Sequence, residues 1–83
     1  MYWFKYETWD YMDEVPSFGY QMFDSEATAK EWAEHLTENY SGGTTRIIGP
    51  ATQKEIATYI ERYDIEVSEE LYNNIHNPNN YLK

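Results

Sequence analysis

Six of the first eleven residues are aromatic: Tyr2, Trp3, Phe4, Tyr6, Trp9 and Tyr11. The chain has 83 residues and no cysteine, so neither a disulfide nor a thiolate metal site can staple it. A chain this short makes one domain at most and removes only about 60–65% of its unfolded surface from water. Stability therefore falls on packing, and the rings are its main suppliers. Each buried ring withdraws roughly 150–250 Å², on the order of 4–6 kcal/mol gross at about 25 cal/mol per Å². About seven or eight rings of that area fill a core of this size, and the chain carries fifteen. The remainder is expected at wet edges, which suits a set that is mostly tyrosine.

Residues 2–12 alternate as a strand does, with Phe4, Tyr6 and Thr8 on one face and Trp3, Lys5, Glu7, Trp9 and Tyr11 on the other. The polar stretch 13–17, with Pro16, reads as a hairpin turn, and 18–24 as the returning strand. Asp24 or Ser25 offers an N-cap oxygen to a helix whose apolar stripe is Ala29, Trp32, Ala33, Leu36 and Tyr40. Glu26 and Lys30 pair at i, i+4, Glu31, Glu34 and Glu38 run along the exposed side, and Gly42-Gly43 ends the helix. A β-branched strand at 44–49 stops at Gly49-Pro50. Thr52 and Glu55 form a capping box ahead of a helix that buries Ile56, Tyr59, Ile60 and Tyr63. Residues 64–67 leave the helical period, and Ser68 caps a third helix over 69–76 with Leu71, Tyr72 and Ile75 inward. Residues 77–83 are expected as a frayed tail unless Tyr81 and Leu82 dock. These elements predict a single compact α+β domain over 1–83, in the order ββαβαα. Its three-stranded, mainly antiparallel sheet carries the helices packed on one face. That layout leaves Trp3, Trp9 and Tyr11 on the uncovered face or at its edge, and a cluster of exposed large aromatics marks an interaction surface.

Fifteen acids against six bases give a net charge of −9. Such a field opposes direct contact with nucleic acid or an anionic membrane. No apolar run approaches 18 residues, and the aromatic, acidic start does not read as a signal peptide, so a cytoplasmic location is expected. Asn39-Tyr40-Ser41 fits a glycosylation sequon and reads as chance in that context.

Chemistry finds little support. Without cysteine, and without a serine elbow or a Ser-x-x-Lys pattern, no nucleophile is marked. Glu31, His35 and Glu38 have a spacing that can offer two metal ligands, but a third such as His76 would have to come from another helix. Gly43 to Gly49 lacks the Lys-Ser/Thr step of a phosphate loop and lies in the wrong order for one. Among fifteen acids close carboxylate pairs are inevitable, so no glycosidase-type pair stands out. No cofactor and no enzymatic activity are expected. Binding is better supported. Asp10, Asp13 and Glu14 gather at the hairpin beside Trp9 and Tyr11, Glu31, Glu34 and Glu38 form a helix stripe, and a further group surrounds the start of the third helix. The stripe places an acid about every 5 Å, the order of the phosphate spacing along one nucleic-acid strand.

Short length, strong acidity, abundant tyrosine, absence of cysteine and a compact α+β pattern give the whole chain a profile that resembles small phage-encoded anti-defence inhibitors of the anti-CRISPR and anti-restriction type. The stretch FDSEATAKEWAEHL is similar to a strand-to-helix passage in some of them. The resemblance implies stoichiometric blocking of a nucleic-acid-handling protein, in some cases as a DNA mimic, in the host cytoplasm. The expected role is a non-catalytic acidic protein docked on a basic protein surface, with Trp3, Trp9, Asp10, Tyr11, Asp13, Glu14, Glu31, Glu34 and Glu38 as contacts. The alternative is a homodimeric interaction module joined through its aromatic sheet face or an edge strand.

Overall fold

The alternation at the N-terminus does form a strand. A computed structural model describes residues 1–10, 12, 14–39 and 43–82. Its elements run β1 (Tyr2–Asp10), β2 (Ser17–Phe23), α1 (Glu26–Asn39), β3 (Gly43–Pro50), α2 (Gln53–Arg62) and α3 (Glu69–His76), then a 3-10 turn over Pro78–Asn80. The class is α+β and the order ββαβαα, as the periodicities predict. The sheet order is β2-β1-β3 and both pairings are antiparallel, so β1 is central and β2 and β3 are edges. Tyr11, Asp13, Tyr40 and Gly42, which the sequence placed in β1, its turn and the end of α1, lie outside the described residues.

Each helix begins where its cap chemistry puts it. Ser25 Oγ accepts the Thr28 amide at 3.2 Å at the start of α1. Thr52 and Glu55 complete a reciprocal capping box on α2, and Ser68 Oγ accepts the Leu71 amide at 3.2 Å on α3. After α2, the Ile65 amide reaches back to Ile60 O at 3.1 Å and the Asp64 amide to Glu61 O at 3.4 Å. That pattern is a Schellman motif, and it holds Asp64 at φ 48°, a left-handed position that usually falls to glycine. In β3 the register slips between Lys5 and Tyr6, so that Ile48 is extra. Gly49, at φ 156°, supplies the backbone turn that this bulge needs.

The helices do not share one face, which corrects the expected layering. Phe4, Phe23 and Ala29 form one core with Tyr2, Trp32 and Ile47 around it. Trp3, Ala51, Ile56 and Ile75 form a second, flanked by Tyr20, Met22, Leu71 and Tyr81. Neighbours on a strand point to opposite faces, so α1 covers the Phe4 face while α2 and α3 cover the Trp3 face. The reason is width. Three strands span roughly 10 Å from one edge strand to the other, about the diameter of one helix. Once α1 occupies its face, the apolar stripes of α2 and α3 are buried only on the other.

The tail is docked through residue 81. Asn77 caps the 3-10 turn, Asn80 Nδ2 donates to Asn74 O at 2.8 Å, and Tyr81 donates its hydroxyl to Ile75 O at 2.5 Å. Tyr81 packs on the Trp3 core, whereas Leu82 remains exposed. No helix is long and apolar enough to cross a membrane among the described residues.

Candidate functional site

Of the nine expected contact residues, Trp3 is overturned. It is 8% exposed and sits at the centre of the second core, because α2 and α3 cover the N-terminal half of β1 on that face. Its indole nitrogen has no hydrogen-bond partner among the described residues. Trp9 lies on the same face but beyond the helices, and is 39% exposed. Asp10 and Glu14 are exposed. Tyr11 and Asp13 fall outside the described residues.

Glu31, Glu34 and Glu38 are all exposed. At 100° per residue they fall directly opposite the Ala29/Ala33/Leu36 stripe that buries α1. None of the three has a cationic partner among the described residues, where the ion pairs are Lys5–Glu55, Lys30–Glu26 and Arg46–Glu7. His35 turns to its own helix instead, its ring 3.2 Å from Asn39 Nδ2. The sheet separates it from His76, and no cluster among the described residues is arranged to hold a metal ion.

The fold brings two of the acidic groups to one end of the molecule. Thr37, in the last turns of α1, accepts the Thr45 amide at 2.9 Å and lies 3.1 Å from the Thr45 carbonyl. Thr45 pairs with Thr8, and two residues on, Gly43 pairs with Asp10. The C-terminal turn of α1, carrying Glu38, therefore sits at the same end of the sheet as Asp10 and Trp9. Glu14 precedes β2, whose first residue, Ser17, also pairs with Thr8. A carboxylate-bearing end with one half-exposed indole is the result.

The opposite sheet face carries most of the bases. Arg46 binds Glu7 Oε1 through Nε at 2.7 Å and Nη2 at 2.5 Å, which matches the partner's charge to a carboxylate only 9% exposed. Beside it, between the sheet and α2, runs an open groove of about 300 Å³. Lys5 stands 4.8 Å over the Phe18 ring and 3.9 Å from Glu55 Oε2. Tyr20 meets Tyr59 edge-on at 5.0 Å, Tyr59 meets Tyr63 at 5.0 Å, and the Arg62 guanidinium lies 5.8 Å from the Tyr63 ring. Burial, then the Glu55 carboxylate and Tyr59, push the Tyr20 hydroxyl above the usual tyrosine value. Sequence reasoning passed over this groove. Its signal was the spacing Lys54, Thr58, Arg62 at i, i+4, i+8, one row along α2.

No protein-family model, curated protein or solved structure matches the chain.

Proposed function

We propose that this chain is a non-catalytic binding protein that docks its acidic end and the outer face of α1 on a basic, nucleic-acid-binding surface of another protein and so blocks it. The observation that carries this reading is the exposed row Glu31, Glu34 and Glu38, without cationic partners among the described residues, whose last member Glu38 lies at the end of the sheet that bears Asp10 and Trp9. The carboxylates speed encounter with lysines and arginines, and Trp9 supplies an apolar anchor of the kind that slows dissociation. Trp3 takes no part. The general resemblance to small acidic phage-encoded inhibitors supports bacterial defence proteins, of the CRISPR-Cas or restriction type, as the target class. The row of acids on α1 acts there as a partial mimic of a phosphate strand.

A gel-shift panel tests the proposal, with purified CRISPR effectors and restriction nucleases challenged by the chain before DNA is added. At least one member should lose DNA binding stoichiometrically, and the Glu34→Lys/Glu38→Lys variant should restore it. A panel member inhibited equally by both proteins would contradict electrostatic docking through α1. One further observation favours a second reading, a homodimer: β2 and β3 are both open edges, and Trp9 and Phe18 are exposed on one face. Light scattering across a concentration series separates the two, since a dimer that persists at low micromolar concentration favours the second.

A further inference from the structure

Three of the chain's six bases line a single groove. Lys5, Lys54 and Arg62 surround the open cavity between the second sheet face and α2, with Glu55 the one carboxylate among them. Three cations and one carboxylate leave a formal +2 at this spot, in a chain whose net charge is −9. Glu55 is already engaged: Oε1 accepts the Thr52 amide and hydroxyl at 3.2 and 3.1 Å, and Oε2 faces Lys5. Lys54 and Arg62 have no ion-pair partner among the described residues. Between the cations the walls are rings, Phe18 and Tyr20 from β2 and Tyr59 and Tyr63 from α2 and its C-cap, with Tyr20 edge-on to Tyr59 and Tyr59 tilted against Tyr63. The volume, about 300 Å³, lies at the lower end of small-molecule sites, and such sites combine apolar walls with a few placed polar groups.

We propose that this groove binds a small planar anion: an aromatic ring seated against the tyrosines, carrying a phosphate or carboxylate to Lys54 and Arg62. Ring stacking is tolerant of ring identity, whereas the guanidinium and ammonium groups require the negative charge. The site lies across the sheet from the α1 carboxylates, so it stands or falls independently of the acidic docking surface.

The test is a titration of the isotopically labelled full chain, followed by amide resonances at low salt. The probes are adenosine monophosphate, phenyl phosphate, an aromatic carboxylate, adenosine and inorganic phosphate. Probes that join a ring to an anion should shift Lys5, Tyr20, Tyr59 and Arg62 together and bind more tightly than adenosine or inorganic phosphate. A preference for the nucleotide identifies a nucleotide site, and a preference for phenyl phosphate or the carboxylate identifies an aromatic-acid site. Lys54→Glu/Arg62→Glu, both on the exposed side of α2, should weaken binding about tenfold with an unchanged circular-dichroism spectrum. Tyr63→Ala should weaken the ring-bearing probes and leave inorganic phosphate unaffected. Three outcomes overturn the proposal: no localised shifts at millimolar probe, equal shifts and affinity for inorganic phosphate and phenyl phosphate, or undiminished binding by the charge-reversed variant.

Discussion

Trp3 and Trp9 share a strand and a face yet have opposite fates. Period-two alternation puts both on one side of β1, and that much is legible from the residues. How far along the strand a covering helix extends is not, because it depends on where Ala51 and Ile56 enter against Trp3. The Ala51 amide bonds to Trp3 O at 3.0 Å, which begins α2 over that half of the strand and leaves Trp9 outside it. Trp3→Ala should therefore cost about 3–5 kcal/mol in urea denaturation, as large-to-small changes in packed cores do. Trp9→Ala should stay within about 1 kcal/mol. Equal costs would mean that the two indoles are buried alike. Arg46 was equally hidden from sequence reasoning, since its bonds to Glu7 join residues 39 positions apart.

At the scale of elements, the caps, the α1 stripe and the strand periodicities were readable because their causes are local. The Thr-x-x-Glu box, Ser25 and Ser68 all act within three residues of themselves. Helix placement was not readable from periodicity alone. Three apolar-striped helices on a sheet about one helix wide need both of its faces, a constraint of width that no single element carries. Two backbone positions test the local account. Gly49 at φ 156° has open space where a Cβ would stand, so Gly49→Ala should cost about 1–3 kcal/mol through backbone strain alone. Asp64 at φ 48° closes the α2 Schellman motif, so Asp64→Gly should be neutral or stabilising by up to about 1 kcal/mol. Both are read from denaturation midpoints, and a stabilising Gly49→Ala or a strongly destabilising Asp64→Gly would contradict the assigned conformations.

For the whole molecule, the arrangement of charge matters more than its sum. Three of the bases gather beside α2, while the exposed side of α1 carries Glu31, Glu34 and Glu38 without cationic partners among the described residues and one base, Lys30, already paired with Glu26. Tyrosines at the margins of the two cores bear on stability at alkaline pH. Burial raises Tyr6, Tyr20 and Tyr81 above the usual value of 10.0. A group whose folded pKa is raised contributes stability that is intact below the unfolded pKa and lost as pH climbs through the folded one. Unfolding free energy should therefore hold level with respect to these groups up to about pH 10 and fall above it. Tyr81→Phe should make that fall shallower, and an unchanged slope would remove Tyr81 from the account. The docking proposal is tested most directly by the association rate of the chain with a nuclease it inhibits, measured from about 50 to 500 mM salt, a range over which the screening length contracts from roughly 14 to 4 Å. The acidic-surface account predicts an association rate that drops steeply with salt for the wild type and only weakly for Glu31→Lys/Glu34→Lys/Glu38→Lys, with dissociation slowed by Trp9 in both. Rates indifferent to salt, or the same salt dependence in both proteins, would contradict it.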